Sequence, residues 1–420
     1  MTRHTHPPPD ASNRDFAERI VRTLRDRGHT AYFAGGCVRD ELLGRDPEDY
    51  DVATDATPDR IAALFPRTNE VGAHFGVVLV RHANRTVEVA TFRTDGSYSD
   101  KRRPDSVTFS TPQEDAARRD FTVNALFLDP VDTSPAHPRG RIVDFVGGME
   151  DLARNVLRAV GDPDQRLAED HLRALRAARL AAKLGFEIDP GTAAAIRRHA
   201  AELSGVSRER IGDEVRKMLT HPARGRAATW MDTLGLTAAV LGVSRDAGGA
   251  ALLHALPAEI RPSWALGAWA LDLGEAYGES AASTAARWRE RLCLSNAEAS
   301  ELRAILELIS VLEQDWLRWP IAKQKRAAAR HGFDGAAAIL SVRLPALGHE
   351  VFARLAELAA TPGGISPAPL ITGDYLVSKG MKPGPAFKGL LERLYDAQLE
   401  GAVTTPEAAR ALAEPLGVPS

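Results

Sequence analysis

The pattern of apolar and polar positions divides the chain into two regions with different secondary structure. In the first region, short β-branched and apolar runs predict strands over residues 30–34, 49–53, 76–82 and 86–92, the last two joined as a hairpin. From about Gly161 onward, Ala, Leu, Arg and Glu recur at helical spacing almost to the last residue. We therefore predict a small α/β domain at the head of the chain, followed by an all-helical region.

Four stretches are examples of the helices predicted in that second region, and no fixed-period repeat is found. They cover residues 167–184, 193–203, 209–219 and 281–312. In the first region, Thr57, Pro58 and Asp59 predict a helix start, because a capping residue precedes proline and an acid of the first turn.

Composition restricts the class of protein further. The 420 residues require two to four domains, and no stretch approaches the roughly 20 apolar residues of a membrane-spanning helix. Two cysteines far apart predict no disulfide framework, and together with the polar N-terminus they favour the cytoplasm. A net charge of −3 argues against a protein that binds nucleic acids indiscriminately.

A glycine pair after the first predicted strand indicates a phosphate-binding turn. Gly35 and Gly36 are followed by a predicted helix that continues to Leu43. Backbone N–H groups at such a strand-to-helix turn are free to bind a phosphate, provided that no Cβ blocks its approach. Arg39 lies one turn into the helix, where its planar guanidinium can reach a triphosphate.

Two aspartates on the next predicted strand are candidate metal ligands. Asp49 and Asp51 are two residues apart, so both carboxylates are expected on one face of the strand. This arrangement suits two Mg²⁺ ions, which prefer oxygen ligands and bridge substrate phosphates. A D-x-D sequence alone is more typical of a surface turn, but the preceding glycine motif favours a metal site. Glu88 is a candidate third catalytic carboxylate, with an outward-facing strand position as the alternative.

A second motif begins at a pair of arginines, Arg118 and Arg119, and either guanidinium could close on a triphosphate. Asp120 and Asn124 follow four residues apart, so in a helix they would share one face and could bind ribose hydroxyls. An amphipathic helix start with exposed charges is the alternative.

A third motif supplies a candidate base-reading pair, Asp170 and Arg173, three residues apart in a predicted helix. Cytosine and adenine both present an amino donor beside a ring-nitrogen acceptor, whereas uracil and guanine present a carbonyl beside a ring N–H. A carboxylate next to a guanidinium would therefore accept C and A and reject U and G. An ordinary intrahelical salt bridge is the alternative. Arg176 and Arg179 rotate progressively away from this face.

A basic segment near residue 320 mixes cations with tryptophans, as RNA-binding surfaces often do. Its candidate tRNA-binding residues are Lys323, Lys325, Arg326 and Arg330. A solvated helix face above core tryptophans explains the same pattern.

Taken together, these motifs resemble those of class II CCA-adding tRNA nucleotidyltransferases, within the wider poly(A) polymerase and DNA polymerase β-like superfamily. The segments that carry the resemblance are residues 35–44 and 49–51 (metal motif), 118–126 (ribose motif), 169–176 (base-reading motif), 207–214 (helix-supporting motif), and 371–385 with 397–401 (tail segment). The resemblance covers most of residues 30–220 and resumes at 371–403, and the region 240–365 matches no motif.

The resemblance implies a DNA polymerase β-like head followed by helical neck, body and tail domains, and template-independent addition of CCA to tRNA with CTP and ATP as donors and Mg²⁺ as cofactor. Asp49 and Asp51 would hold the metals, and Gly36, Arg39 and Arg119 would contact the nucleotide. Asp170, Arg173, Arg176 and Arg179 would line the base pocket. The domain limits we expect are 1–15 (disordered), 16–160 (head), 161–235 (neck), 236–365 (body) and 366–420 (tail, binding tRNA).

Several alternatives stay open at this point. Bacterial poly(A) polymerases share the head and neck but tend to be more basic, and specialised relatives add only CC or only A. Residues 94–107 lie where the family has a loop that helps to switch from C to A, and no deletion there is evident, which favours full CCA addition. A non-catalytic RNA-binding descendant is disfavoured by the D-x-D motif. No His-Asp doublet occurs, so the phosphohydrolase activity of some relatives is not expected, and neither a membrane nor a protein partner is predicted.

Overall fold

The computed structural model describes residues 12–69, 76–96, 106–243, 249–274 and 280–415. The chain forms two compact units, the first from residues 1–214 and 230–242 and the second from 215–229 and 243–420.

The first helix begins before residue 15, the predicted end of the disordered N-terminus. The Ser12 side chain accepts from the backbone of Asp15, whose carboxylate accepts from the Ser12 backbone in return, and this capping box starts the first helix at Asn13. Residues 1–11 of the predicted disordered segment lie outside the described residues.

The first unit is built on a seven-stranded mixed sheet, as the α/β prediction requires. The strands of the unit, in chain order, are β1 (Ala31–Ala34), β2 (Asp51–Thr54), β3 (Thr68–Asn69), β4 (Val77–His82), β5 (Arg85–Thr91), β6 (Arg93–Asp95), β7 (Val107–Phe109), β8 (Phe127–Asp129), β9 (Arg141–Val143), β10 (Val156–Leu157) and β11 (Glu187–Ile188). The sheet order is β3-β4-β5-β2-β1-β8-β9, while β6 pairs with β7 and β10 with β11. The predicted hairpin is confirmed, since β4 and β5 pair antiparallel.

Helices cover this sheet and extend beyond it. Those that begin before residue 215 are α1 (Asn13–Arg25), α2 (Gly36–Leu42), α3 (Pro58–Leu64), α4 (Pro112–Ala117), α5 (Gly148–Ala153), α6 (Pro163–Glu169), α7 (Leu172–Leu184), α8 (Pro190–His199) and α9 (Arg208–Thr220). A small hydrophobic core packs at the ends of β1 and β2. It includes Ala34, Ala53, Phe92, Phe127 and Val160.

Strand β2 begins two residues later than predicted. Its first residue is Asp51, which pairs with Glu88 of the parallel neighbour β5, and Asp49 precedes the strand in an exposed segment. Asp49 therefore lies outside the strand on which it was predicted, whereas Asp51 is the first residue of that strand. The carboxylate that the sheet aligns with Asp51 is Glu88.

The predicted helix over residues 167–184 is interrupted at Asp170. This residue has φ −148° and ψ 102°, an extended conformation that ends α6 at Glu169, and α7 begins at Leu172. The predicted helix over 281–312 is likewise two helices, because Cys293 has φ 49° and Ser295 caps the second one. In both places apolar spacing continues across a change of backbone direction, which periodicity cannot reveal.

The second unit is helical throughout its described residues, as predicted. Helix α10 (Arg224–Thr233) begins in this unit, whereas α11 (Leu236–Leu241) belongs to the first. The remaining helices of the second unit are α12 (Ala251–Ala255), α13 (Pro262–Asp272), α14 (Ala281–Leu292), α15 (Asn296–Gln314), α16 (Ile321–Ala328), α17 (Phe333–Arg343), α18 (Pro345–Ala360), α19 (Gly373–Ser378), α20 (Pro385–Leu399) and α21 (Pro406–Ala413). Trp269, Trp288 and Trp316 are fully buried in it. No described helix combines the length and the apolar character needed to cross a membrane.

Candidate active site

A cleft of about 410 Å³ in the first unit brings three of the sequence motifs together. The predicted site residues that line it are Gly35, Gly36, Arg39, Asp51, Glu88, Arg119, Asp120, Asn124 and Arg176. Asp49, Asp170, Arg173 and Arg179 lie outside this lining.

The glycine turn forms one wall of the cleft. Gly35 has φ 77° and ψ −130°, a conformation that side chains other than hydrogen strongly disfavour, and it caps α2, which starts at Gly36. A Cβ on Gly35 would lie 3.0 Å from Nη1 of Arg119, whereas one on Gly36 would have no contact closer than 3.6 Å. The turn thus places Arg119 close to the N-terminus of α2.

A chain of hydrogen bonds links the glycine helix to α7. Buried Arg39 donates to the side-chain oxygen of Asn124, whose amide donates to Asp120 over 3.1 Å. Asp120 in turn accepts from Nε and Nη2 of Arg176 at 2.9 and 2.6 Å. Burial opposes ionisation of Asp120, but the Arg176 charge and these hydrogen bonds outweigh it and lower the Asp120 pKa to about 2. The Asp120 carboxylate is therefore ionised at every physiological pH.

Asp51 and Glu88 are the acidic residues of the cleft whose pKa is raised, in contrast to Asp120. The Asp51 carboxylate is accessible from the cleft, but the protein atoms around it reduce its solvation. Glu88 adds like-charge repulsion. Together these effects raise the pKa of Asp51 to about 6. Burial also raises the pKa of Glu88, against the opposing effect of Arg93 and Arg119.

Guanidinium groups face these carboxylates. Arg118 and Arg119 both donate to buried Asp115 of α4, at 2.6–3.1 Å, so their positions are set by one carboxylate. Arg93 and Arg118 line the cleft as well. Arg93 was not predicted from the sequence as a site residue. It could have been considered because it lies two residues beyond β5, the strand that carries Glu88.

The predicted Asp170–Arg173 pair does not form. Because Asp170 lies in the break between α6 and α7, its carboxylate accepts from Arg210 at 2.7 Å, while Arg173 pairs with Glu169 at 2.5 Å. The i, i+3 geometry that suggested the pair requires a continuous helix, and this part of the prediction is wrong. Arg179 pairs with buried Glu214 at 2.6 Å.

The basic segment of α16 is not a continuous cationic face. Lys325 is buried, with Nζ donating to the Thr361 hydroxyl at 2.6 Å, so its assignment as an RNA contact is wrong. Arg326 pairs with Asp396, Arg330 pairs with Glu307, and Lys323 lies over the Trp319 ring at 3.6 Å. The alternative interpretation of this segment places its tryptophans in the core. It is confirmed for Trp316, which is fully buried.

The carboxylates of the cleft fit a divalent cation. Asp51 and Glu88 are register partners on adjacent parallel strands, they repel each other, and both are ionised less readily than in water. Oxygen ligands of this kind are those that Mg²⁺ prefers, and its charge would relieve the repulsion. Asp49 lies two residues away, and its charge also raises the Asp51 pKa slightly.

Two family models match the chain between residues 31 and 242. Residues 31–158 match the poly A polymerase head domain, and residues 185–242 match a domain described as the "Probable RNA and SrmB- binding site of polymerase A".

Relatives extend the similarity to the full length. The chain is 34% identical to a CCA-adding enzyme of a Geobacillus strain over 401 residues, which cover 91% of this chain and 92% of the relative. It is 35% identical to the CCA-adding enzyme of Limosilactobacillus fermentum over 390 residues, 92% of each chain. The chain belongs to the family of CCA-adding enzymes, which are tRNA nucleotidyltransferases.

Other CCA-adding enzymes agree with this assignment. The alignment with the Geobacillus stearothermophilus enzyme is 43% identical, and there the chain spans about half the relative's length, 54%. The crystal structure of the Bacillus stearothermophilus CCA-adding enzyme in complex with CTP is 30% identical, with a TM-score of 0.78 over 96% of this chain and 98% of that one. A Thermotoga maritima CCA-adding enzyme complexed with tRNA, 19% identical with a TM-score of 0.70 over 96% and 95% of the chains, shares the fold.

The structure describes only the two ends of residues 94–107, the segment expected to help the switch from C to A. Strands β6 and β7 bracket it and pair with each other, from Arg93↔Phe109 to Asp95↔Val107. Residues 97–105 of this segment lie outside the described residues.

Proposed function

We propose that this protein completes the 3′ end of tRNA by adding cytidylate and adenylate from CTP and ATP, without a nucleic-acid template. The observation that carries the proposal is the 34–35% identity to CCA-adding enzymes over about nine-tenths of both chains. A relative 30% identical in sequence was solved with CTP, and the cleft here offers acidic and cationic groups suited to a nucleoside triphosphate.

The triphosphate binds at the glycine turn. The N-terminus of α2 presents backbone N–H groups, and Arg39 and Arg119 supply charge from two sides of the turn. Asp120 and Asn124 bind the ribose, since their polar atoms line the same cleft and are already fixed by Arg176 and Arg39. Such fixed partners reduce the reorganisation needed when substrate enters.

Asp51 and Asp49 are the proposed Mg²⁺ ligands, and Glu88 is the third catalytic carboxylate. When bound, Mg²⁺ would activate the tRNA 3′ hydroxyl and neutralise charge on the phosphates. Asp51 is held for this role by its pairing with Glu88 in the parallel ladder. Asp49 is exposed just before β2, two residues from Asp51, and would supply a further carboxylate to the ion.

Base selection is assigned to α7 and the break before it. Asp170 and Arg173 are the proposed base-reading residues, with Arg176 and Arg179 beside them on α7. In the structure Asp170 is held by Arg210 and Arg173 by Glu169, so reading a base requires that these ion pairs exchange partners. Arg176 lines the cleft directly and supports an involvement of this helix.

The helical region is the proposed tRNA-binding part, and the reaction would take place in the cytoplasm. Among the cations of the basic segment, Lys323, Arg326 and Arg330 remain candidate contacts, because their side chains are at least partly exposed. Lys325 is excluded by its burial.

The test is incorporation into tRNA that lacks its last three nucleotides, with CTP, ATP or both supplied. Full CCA addition gives a product two nucleotides longer with CTP and three longer with both, and Asp51→Asn serves as the inactive control. A long adenylate tail on any RNA end would indicate a poly(A) polymerase instead. Products that stop after CC, or that form only on tRNA ending in CC, would indicate a partial activity.

A further inference from the structure

A second group of potential metal ligands lies in the first unit, outside the nucleotide cleft. Its members are His171, His199 and Glu202, each of which offers one ligand atom within 4.8 Å of the other two. None of the three lines the cleft. We propose that this group binds one Zn²⁺ ion.

The three side chains come from different elements that meet at one point. His171 lies in the break between α6 and α7, His199 is the last residue of α8, and Glu202 is in the 3₁₀ turn of Ala200–Gly205. An ion held here would therefore tie the start of α7 to the end of α8. Arg176, whose side chain lines the cleft, lies five residues beyond His171.

Both imidazoles lie close to the Glu202 carboxylate. Glu202 extends its two carboxylate oxygens to different imidazoles, with Oε2 3.1 Å from Nε2 of His171 and Oε1 3.0 Å from Nδ1 of His199. One ligand atom from each of the three residues lies within 4.8 Å of the other two. Ligand atoms around Zn²⁺ at bond lengths of about 2.0–2.1 Å lie about 3.3 Å apart, so the three groups would draw together when the ion binds. Two imidazoles and a carboxylate also match the ligand types that Zn²⁺ takes when it keeps a fourth position for water.

A second carboxylate orients one of the ligands. Nε2 of His199 lies 3.0 Å from Oδ1 of Asp164, which also accepts from Arg198 at 2.6 and 3.0 Å. This contact fixes the His199 ring so that Nδ1 faces Glu202. A carboxylate on the far nitrogen of a ligating histidine is a regular feature of zinc sites, where it sets the tautomer and raises the basicity of the ligand.

Exposure gives the ion a path to the site. The side chain of His171 is 1% exposed, whereas those of His199 and Glu202 are 20% and 42% exposed. One ligand is therefore rigidly packed, and the other two face solvent from which an ion can enter. The ion would replace the proton between Nδ1 of His199 and Glu202, so its binding should release protons.

The experiment measures Zn²⁺ binding by the untagged chain after treatment with EDTA and dialysis, in competition with a chromophoric chelator. Millimolar Mg²⁺ is present throughout, and Asp51→Asn is measured in parallel, so that the carboxylates of the cleft do not add to the count. The disrupting variants are His199→Gln and Glu202→Gln, whose partial exposure makes misfolding less of a concern than at His171. The matched control is His29→Gln, because His29 is also 20% exposed and lies 3.0 Å from a carboxylate, Asp55, but belongs to no three-ligand group found among the described residues.

The wild-type chain, Asp51→Asn and His29→Gln should each bind one more Zn²⁺ than His199→Gln and Glu202→Gln. Asp164→Asn should keep the ion but weaken its binding by about 10–100-fold. Saturating Zn²⁺ should also raise the Tm of the wild type, on the order of 5 °C, and leave that of His199→Gln unchanged. Equal zinc stoichiometry and affinity in the wild type and His199→Gln would overturn the proposal.

Cobalt provides an independent readout. Co²⁺ bound by two imidazoles and a carboxylate gives visible d–d bands without the sulfur charge-transfer band that exposed Cys293 would produce. We expect the d–d bands in His29→Gln and their loss in His199→Gln. A sulfur charge-transfer band, or d–d bands that persist in His199→Gln, would assign the ion to other residues and contradict the proposal.

Discussion

Asp51 is a residue whose function works against the stability of the fold. Reduced solvation and repulsion by Glu88 raise its pKa to about 6, against 3.8 in the absence of these effects. Above pH 6 the carboxylate is ionised in both the folded and the unfolded chain, and the folded state bears the full penalty. As the pH falls from 6 to about 4, the folded chain takes up the proton first and the penalty disappears.

Asp51→Asn should therefore abolish incorporation of CTP and ATP and yet raise the Tm at pH 7–8 in the absence of divalent ions. The gain in Tm should decrease as the pH falls through 6 and vanish near pH 4. Thermal melts across this range check the prediction. Asp49→Asn is the control, because its exposed carboxylate should leave the Tm unchanged while incorporation is lost. A stabilisation by Asp51→Asn that is the same at pH 4 and pH 8 would show that ionisation is not its cause.

The two glycines of the turn should respond differently to alanine. Gly35→Ala forces a side chain into a backbone conformation that is unfavourable by about 1–3 kcal/mol and displaces Arg119, so both the Tm and nucleotide affinity should fall. Gly36→Ala meets only an ordinary contact to Arg39, so the Tm should stay the same. Its methyl group would still project where we expect the triphosphate, and KM for CTP and ATP should rise. Steady-state kinetics beside thermal melts separate the two effects, and an unchanged KM in Gly36→Ala would place the phosphates elsewhere.

At the scale of elements, sequence patterns located the four longest strands, β1, β2, β4 and β5, but neither the seven described strands of two or three residues nor the places where helices break. The hairpin of β4 and β5 was predictable because two β-branched, apolar runs flank the short separator at residues 83–85. The break at Asp170 was not, because Leu167 and Leu175, eight residues apart, keep helical spacing across it.

The same limit applies to the candidate site. The glycine turn and the acidic residues were identified from local motifs, since their chemistry depends on neighbours in sequence. The ion pairs Asp170–Arg210 and Arg179–Glu214 join residues 40 and 35 positions apart, and no local pattern specifies them. The sequence offered Glu88 only as a candidate third carboxylate. Its position opposite Asp51 follows from the register of β2 and β5.

The break before α7 allows a test of base reading that separates it from a structural role. If Asp170 accepts from the amino group of C or A, Asp170→Ala should let UTP gain on CTP and ATP by about ten-fold to a hundred-fold. Arg210→Ala removes the same ion pair but keeps the carboxylate, so UTP should stay excluded. Single-nucleotide incorporation with all four triphosphates measures the ratios, and a thermal melt of each variant measures stability. Similar losses of Tm in both variants, with unchanged ratios, would mean that the pair is only structural.

At the scale of the whole molecule, the C-terminal segment has a hydrophobic cluster of its own. Residues Ile371, Leu376, Leu390, Leu394, Val403, Ala409 and Ala413 form it. The cluster begins at Ile371, where the tail segment of the sequence motifs also begins. Every residue that lines the cleft lies at or before Leu180. The predicted domain limits at 235 and 365 are not tested by the division into two units, which falls at 214, 229 and 242.

Removal of the chain from Ile371 onward should weaken tRNA binding more than nucleotide binding. The physical reason is that the cluster leaves as a unit, whereas the cleft is built entirely from residues before 181. Filter binding with tRNA and equilibrium binding of CTP give the two affinities, with circular dichroism to verify that the remainder is folded. A folded truncated protein that binds tRNA as tightly as the full chain would contradict a role for the tail.

The parallel pairing of β2 with β5 also determines where this chain can change in length. Asp51 meets Glu88 because four successive residue pairs align, ending at Thr54↔Thr91. One residue inserted within β2 or β5 would exchange the outward and inward faces of that strand. In β5, such an insertion would turn buried Val89 toward the cleft. Residues added at Ala83 and Asn84 would only lengthen the tip of the hairpin and keep the two carboxylates opposite each other. In related sequences, insertions and deletions should therefore accumulate at the hairpin tip and be absent from the two short strands that bring Asp51 and Glu88 together.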